Sequence, residues 1–205
     1  MEATLENHWE TVYQTKDTTK VGWHQTKPQV SLDFIGKTQL SKDAAILDVG
    51  GGDSKLVDYL LEDEFQNITV LDISDTALGK IKQRLKERQV QVKFVVSNIL
   101  DFNPIEKFSL WHDRAVFHFL TAEKDQNEYL SLVQKSIDSG GYLILATFSK
   151  SGPSICSGLP VKQYDIQDLE EFFRPEFHLL EGINYDHITP AGSPQNYSVC
   201  LFQRI

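Results

Sequence analysis

Short apolar runs alternate with stretches of helical period along most of the chain. Runs long enough for one buried strand each occupy residues 44–49, 68–71, 92–96, 108–111 and 142–148. In the stretches between these runs, apolar side chains recur three and four positions apart, which predicts amphipathic helices. Thr121 is expected to cap the helix before the last run, and Gly140 and Gly141 are expected to end it. Strands that alternate with helices in this way are typical of a parallel sheet covered by helices.

The pattern changes after the last of these runs. A helix predicted at residues 165–173 leads into two extended segments, 177–185 and 197–203. About ten residues between them are too few for a crossover helix, so these two segments should pair as an antiparallel hairpin. The predicted fold is therefore α/β: a Rossmann-like, doubly wound, mostly parallel seven-stranded sheet with a C-terminal antiparallel hairpin.

The start of the chain carries three aromatic residues, Trp9, Tyr13 and Trp23, among two short helical patterns. We interpret it as an N-terminal helical extension that folds over one end of the sheet as a lid. The stretches rich in glycine, proline and serine are short and flanked by apolar residues, so we interpret them as loops. We expect a single domain, residues 1–205, with the extension at 1–43 and the Rossmann-like core at 44–205.

Charge narrows the choice of partners. The formal net charge is -9 at pH 7, whereas nucleic-acid binding draws mainly on lysine and arginine at the phosphates. The basic residues between positions 80 and 88 lie on one predicted helix, where they favour a solvated face. We expect no nucleic-acid partner, and a monomer or a weak homodimer.

Cysteine usage and hydropathy indicate the compartment. The chain has two cysteines, Cys156 and Cys200, and neither lies in a Cys/His cluster with zinc spacing, so we expect no metal. No apolar run approaches the roughly 20 residues that span a bilayer. The first ten residues, MEATLENHWE, lack the basic and apolar segments of a signal peptide. These features predict a cytoplasmic protein with no membrane partner.

A glycine triplet at residues 50–52 follows the first predicted strand, between Asp48 and Ser54. Open parallel sheets bind ligands at the carboxyl ends of their strands, where glycine lets the backbone approach a ligand closely. A triplet alone is equally consistent with a tight turn that binds nothing. Asp72, however, ends the second strand at close to the spacing of about 20 residues that places a carboxylate on ribose hydroxyls. Both features together favour a ligand that contains a nucleoside.

The charges beside the turn distinguish between nucleoside ligands. Asp48 and Asp53 would repel a pyrophosphate, and Lys55 stands where the dinucleotide pattern needs its last glycine. The turn also lacks the Gly-Lys-Ser/Thr ending of an ATP-binding loop. S-adenosylmethionine has no phosphate and carries a sulfonium and an ammonium, which carboxylates attract. The turn therefore favours S-adenosylmethionine as cofactor.

The run ILDVGGGDS, with the acidic end of the second strand, resembles the first two motifs of the class I, seven-strand methyltransferases from about Ala44 onward. The resemblance implies that the glycine turn contacts the methionine part of S-adenosylmethionine and that Asp72 holds the ribose. Asn98 stands where these enzymes often have an Asp for the adenine amino group, and an amide oxygen can accept the same hydrogen bond. The expected cofactor-binding residues are Asp48, Gly50, Gly51, Gly52, Ser54, Asp72, Ile73, Asn98, Ile99 and Trp23.

The segment FSLWHDRAVFHFLT is similar to one in bacterial methyltransferases of unassigned substrate. Its Asp-Arg pair also resembles a pair in thiopurine methyltransferases and the Asp-Lys pair of some protein-lysine methyltransferases. His112 and Asp113 follow the fourth predicted strand, beside the expected sulfonium, and are the candidate catalytic residues. For Asp113 the alternative is a structural ion pair with Arg114, and for His112 a catalytic and a structural role stay equally open.

Other polar residues have competing interpretations. His118 lies among apolar residues, which favours a core histidine. His187 either reaches the substrate side of the crevice or caps a loop, and Cys156 has no partner base in the sequence, which favours an inert thiol. Trp23 and His24 either cover the cofactor or anchor the extension to the sheet.

The sequence predicts an S-adenosylmethionine-dependent methyltransferase. We expect a small-molecule acceptor, because a short extension and a core without a separate substrate domain suit a crevice under a lid. The Asp-Arg resemblance keeps methylation of protein side chains open, and a non-catalytic module that binds S-adenosylmethionine is a third hypothesis.

Overall fold

The structure, a computed structural model, describes residues 4–205. Its strands are β1 (Ala45–Val49), β2 (Asn67–Asp72), β3 (Val92–Val96), β4 (Phe108–Arg114), β5 (Ile137–Phe148), β6 (Ile155–Cys156), β7 (Leu159–Pro160), β8 (Phe177–Ile188) and β9 (Pro194–Arg204). Seven of them form the main sheet in the order β3-β2-β1-β4-β5-β9-β8, and β6 pairs with β7. The first five strands are parallel, while β9 is antiparallel to both β5 and β8. The predicted fold class is confirmed.

Helices cover both faces of this sheet. They are α1 (Leu5–Thr15), α2 (Gln29–Thr38), α3 (Leu56–Glu62), α4 (Asp75–Leu85), α5 (Glu123–Ser136) and α6 (Ile166–Phe173). One apolar layer joins the sheet to α2, α3 and α4 through buried residues such as Phe34, Leu60 and Leu78. The other layer joins it to α5 and α6 through Val133 and Leu169, so the sheet is doubly wound. Between residues 4 and 205, no helix is both long and apolar enough to cross a membrane.

Strand β4 is longer than its apolar run predicts. The run stops at Trp111, but the strand continues to Arg114, which pairs with Ala146 of β5. Successive side chains of a strand point to opposite faces. His112 and Arg114 therefore share one face of the sheet, while Trp111 and Asp113 share the other. His112 and Asp113 are polar yet buried, which hides the true end of the strand from hydropathy.

Two predicted helix boundaries are wrong. Gly140 and Gly141 lie inside β5, whereas the sequence places them at the end of the preceding helix. Gly140 has a φ of 79°, and its left-handed backbone lies in the part of β5 whose pairing with β4 shifts register. Thr121 does not cap α5 either, because the residue at the cap is Ala122.

The extension holds α1 against the start of α4. Thr4 caps α1, since its Oγ1 accepts the backbone N–H of Asn7 at 3.2 Å. Glu10, further along α1, accepts hydrogen bonds from the hydroxyls of Ser74, at 2.5 Å, and Thr76. Because Ser74 and Thr76 lie directly after β2, these bonds hold α1 at the carboxyl edge of the sheet.

Candidate active site

A cavity of about 150 Å³ lies at the carboxyl ends of β1, β2 and β4, between the sheet and the extension. Trp9, Tyr13 and Trp23 line it from the extension, and Arg114 and Phe119 line it from the segment that ends β4. The predicted site residues that line it are Trp23, Asp48, Gly50, Gly51, Ser54, Asp72, Ile73, Asn98, Ile99 and His112. Two predicted site residues, Gly52 and Asp113, do not line it.

The turn after β1 requires glycine for two separate reasons. Gly50 has a φ of 64°, in the left-handed region that other residues adopt only with strain. A Cβ atom on Gly51 would collide with Val70 of β2 and crowd the carboxylate of Asp48. The backbone of the turn therefore packs directly on the strand ends, which leaves the space above it free of side chains.

Asp72 connects the end of β2 to the glycine turn. Its Oδ2 accepts the N–H of Gly52 at 2.8 Å, and its Oδ1 accepts the N–H of Ser74 at 2.9 Å. Burial raises the pKa of Asp72 to about 6, although these two hydrogen bonds act in the opposite direction. At pH 7 the group is thus mainly ionised, and each oxygen can still accept another hydrogen bond. Gly52 contributes to the site through its bond to Asp72.

His112 connects β1 to the extension. Its Nδ1 lies 2.7 Å from Oδ1 of Asp48, and its Nε2 lies 2.9 Å from Oγ of Ser31 in α2. All three side chains are buried and line the cavity. Because both ring nitrogens already have partners within the protein, His112 orients Asp48 and has no free nitrogen for the acceptor.

The segment after β3 forms another wall of the cavity. Oδ1 of Asn98 accepts the N–H of Leu100 at 3.1 Å and so caps a short 3₁₀ turn, Ile99–Asp101. The oxygen that the family resemblance implies for the adenine amino group therefore has a structural bond, and one lone pair remains for a ligand. Ile73 and Ile99 add apolar side chains beside it.

Asp113 does not line the cavity, and its contacts favour a structural role over the predicted contact with cofactor or acceptor. Its buried carboxylate accepts the hydroxyl of Tyr129 at 2.6 Å and the N–H groups of Val116 at 2.8 Å and Phe117 at 3.2 Å. Burial raises the pKa of Asp113 to about 6, and the same hydrogen bonds act against that rise. Arg114 is not its partner, because neighbouring residues of a strand face opposite sides. Asp113 holds the loop after β4 onto α5.

Aromatic side chains of the extension form the roof of the cavity. Trp9 packs edge-on against Trp23, with ring centroids 5.7 Å apart, and against Phe119 at 5.4 Å. Burial, together with the charge of Asp72, raises the pKa of Tyr13 well above its usual value. Sequence reasoning assigned no site role to Trp9 or Tyr13. Their four-residue spacing, which places both on one helix face, is the signal that could have identified them.

Arg114 is a third residue that sequence reasoning missed, since it was considered only as a partner for Asp113. Its Nη1 donates to the backbone carbonyl of Trp23 at 3.2 Å, and its Cζ lies 5.0 Å from the ring centroid of Tyr197. Among the residues that the structure describes, Nε and Nη2 have no hydrogen-bond partner. The alternation of β4, once its length is known, places this guanidinium on the cavity side.

The other three residues singled out from the sequence, His118, Cys156 and His187, have contacts that indicate structural roles. His118 is a core residue, as predicted: its Nδ1 accepts the N–H of Phe148 at 3.3 Å, and burial lowers its pKa to about 3. Burial raises the pKa of Cys156 to about 11, which agrees with an inert thiol. Nε2 of His187 lies 2.8 Å from the carbonyl oxygen of Gly22, so His187 ties the terminal hairpin to the extension.

A protein-family model described as Methyltransferase domain matches residues 40–177. The chain belongs to this family. The matched segment contains the glycine turn, Asp72 and the whole of β4. The predicted function, an S-adenosylmethionine-dependent methyltransferase, is thereby confirmed, while the nature of its acceptor stays a prediction.

Two curated relatives share a name, EEF1A lysine methyltransferase 2. The Homo sapiens protein is 22% identical over 216 residues, which cover 97% of this chain and 85% of the relative. The Mus musculus protein is 22% identical over 158 residues, and the match covers 68% of this chain. The chain spans 64% of the length of that mouse relative.

Solved methyltransferase structures share the fold. One is 1,6-didemethyltoxoflavin-N1-methyltransferase from Burkholderia thailandensis, determined with 1,6-didemethyltoxoflavin and S-adenosylhomocysteine. Its TM-score is 0.70 at 17% sequence identity, and the match covers 94% of this chain and 80% of that methyltransferase. Another is N-methyltransferase NodS from Bradyrhizobium japonicum WM9, with a TM-score of 0.70 at 14% sequence identity. This match covers 96% of this chain and 98% of NodS. At these identities the likeness is one of fold.

The residues around the cavity fit S-adenosylmethionine, the cofactor that the family implies. Asp48 and Asp72 give one side of the cavity a negative charge, which attracts a sulfonium and an ammonium and repels phosphates, while the charge of Asp53 is paired with Arg84. A Cβ atom at Gly50 would collide with Val116 at the wall of the cavity, so the turn needs glycine where it borders the ligand space. The charge of the cavity thus favours this cofactor over a dinucleotide.

Proposed function

We propose that this methyltransferase acts on a small-molecule acceptor bound beneath its N-terminal extension. One observation carries the proposal: a single cavity is lined both by Asp48 and Asp72 at the strand ends and by Trp9 and Trp23 of the extension. An acceptor that meets the methyl group there must fit under the aromatic roof. Mostly apolar clefts with a few placed polar groups are typical sites for small molecules.

The residues of the cavity align the reactants more than they perform acid-base chemistry. S-adenosylmethionine, when bound, supplies a methyl group that is already activated on a sulfonium. In this proposal Asp72 holds the ribose, the glycine turn contacts the methionine part, and Asp48 attracts its cationic end. Trp9, Trp23 and Phe119 exclude water and orient the acceptor. Such alignment of two reactants supplies much of the rate enhancement in a bimolecular displacement.

Methylation of a lysine side chain is the second candidate. It is favoured by the names of the human and mouse relatives, although both are only 22% identical to this chain. A lysine side chain is long and thin, so it can enter a narrow crevice from a protein surface.

Two experiments test the proposal. In calorimetric titrations we expect S-adenosylmethionine and S-adenosylhomocysteine to bind with micromolar Kd, and NAD and ATP not to bind. Asp72→Ala should weaken that binding at least tenfold, because hydrogen bonds to a charged group contribute about 1.5–3 kcal/mol each. Unchanged affinity would remove Asp72 from the ribose site.

Incubation with methyl-labelled cofactor and cell lysate then separates the acceptors. Label in the small-molecule fraction supports the proposal, whereas label confined to protein bands supports the second candidate. If S-adenosylhomocysteine binds but no label is transferred to either fraction, the chain is a binding module and both candidates fail.

A further inference from the structure

The guanidinium of Arg114 is a positive charge without a countercharge. Within residues 4–205, no carboxylate lies within 4.0 Å of it. The titratable groups close enough to affect it are Tyr185, Tyr197, Cys156, His118 and His187. None of them is an acid that ionises at neutral pH, because burial raises the pKa of Cys156 to about 11 and lowers that of His118 to about 3. A charge in such surroundings is unfavourable until an anion joins it.

The free hydrogen-bond donors of Arg114 lie on one edge of its guanidinium. The Nε–H and one N–H of Nη2 point the same way, and this pair matches the two oxygens of a carboxylate. In the described part of the chain, these two nitrogens are buried and have no hydrogen-bond partner within 3.5 Å, although the hydroxyl of Tyr185 interacts with the guanidinium, while Nη1 donates to Trp23. Buried donors almost always have partners in folded proteins. The arrangement is thus poised for a bidentate anion.

The position of Arg114 separates it from the groups expected to hold the cofactor. Its guanidinium packs on Tyr197 of β9, whereas the glycine turn follows β1, and β4 and β5 lie between those two strands. Arg114 nevertheless lines the same cavity as Asp48 and Asp72. The cavity therefore has an acidic side toward β1 and β2 and a basic side toward β9. The basic side is where an acceptor would lie if the acidic side holds the cofactor.

We infer that Arg114 binds a carboxylate group of the methyl acceptor, so that the acceptor is an organic acid. The inference rests on the proposed function and names its substrate class. Trp9, Trp23 and Phe119 line the space beside Arg114, which suits an acid with an apolar or aromatic body. Because Nε and Nη2 are shielded, neighbouring groups must shift slightly for the carboxylate to reach them.

Matched pairs of acids and amides test this inference on the protein saturated with S-adenosylhomocysteine. The probes are benzoate, phenylacetate and 3-phenylpropionate, each beside its neutral amide, titrated at constant ionic strength. We expect at least one acid to bind tenfold or more tightly than its amide. That preference should vanish in Arg114→Gln. It should persist in part in Arg114→Lys, which keeps the positive charge but loses the pair of parallel N–H donors. Thermal unfolding of both variants verifies that they fold.

Several results would overturn the inference. One is equal binding of each acid and its amide, or no binding of any probe; another is a preference for acids that survives in Arg114→Gln. A third concerns the carboxylate of the cofactor itself: if Arg114→Gln weakens S-adenosylhomocysteine tenfold but leaves 5′-methylthioadenosine, which lacks that carboxylate, unchanged, then Arg114 serves the cofactor. Failure of the wild-type protein to bind S-adenosylhomocysteine would instead contradict the proposed function.

Discussion

Asp113→Asn should destabilise the fold and leave cofactor affinity almost unchanged. The carboxylate of Asp113 accepts three hydrogen bonds, from the hydroxyl of Tyr129 and from the N–H groups of Val116 and Phe117. Asparagine has nearly the same shape, but one of its two polar atoms is a donor. Whichever way the amide turns, its NH₂ group faces at least one of these donors.

The expected loss of stability follows from those bonds. Hydrogen bonds to a charged group contribute about 1.5–3 kcal/mol each, and a buried donor left without a partner costs about 1–3 kcal/mol. With one oxygen retained, we expect the free energy of unfolding to fall by about 3 kcal/mol. For a chain of this length, each kcal/mol lowers Tm by about 2–4 °C, so Tm should fall by about 6–12 °C.

Thermal unfolding and calorimetry on the same preparations measure both effects. The exposed Asp101 offers a matched control, since Asp101→Asn makes the same chemical change and should alter stability by less than about 0.5 kcal/mol. For Asp113→Asn we expect S-adenosylhomocysteine affinity within about twofold of wild type, because the side chain does not line the cavity. A variant with wild-type Tm but lost affinity or turnover would refute this reasoning.

Two further predictions concern the cavity. Because burial raises the pKa of Asp72 to about 6, its carboxylate is ionised above that pH and gains a proton as the pH falls. The affinity for S-adenosylhomocysteine, measured by calorimetry, should therefore drop about tenfold from pH 7 to pH 5 in the wild type. The same change of pH should leave the affinity of Asp72→Asn unaltered. Glu10→Ala should free α1 from α4 and raise the dissociation rate of S-adenosylhomocysteine severalfold in stopped-flow experiments. Glu6→Ala, at an exposed position of α1, should leave that rate unchanged. Equal rates in both variants would show that α1 does not gate release of the cofactor product.

The sheet and the floor of the site could be predicted because their signals are local. Each parallel strand is an apolar run, and the glycine turn and Asp72 lie directly after two of those runs. The carboxyl ends of parallel strands meet at one edge of the sheet, so these positions suffice to bring the residues together. No tertiary contact has to be known in advance.

The walls of the site depend on contacts that no local pattern records. Glu10 reaches Ser74 across 64 positions of the chain. The orientations of Asp113 and Arg114 depend on where β4 ends, and its last residues are polar. If the strand ended at Trp111, Asp113 would lie in a loop and the direction of its side chain would be undetermined. Because the strand continues to Arg114, the side chains of Asp113 and Arg114 must point to opposite faces of the sheet.

The division of the crevice between two parts of the chain has a consequence for engineering. The sheet carries the groups expected to hold the cofactor, while the extension supplies the aromatic roof over the acceptor. The two parts meet at residues 41–43, which are exposed, so a chimera can be joined there, provided that the donor's α2 keeps the core packing of Phe34. Exchange of the segment before this junction between family members should transfer acceptor preference while the recipient keeps its own cofactor affinity. New acceptor specificities would then come from exchanging the extension, without redesign of the strand ends that bind the cofactor.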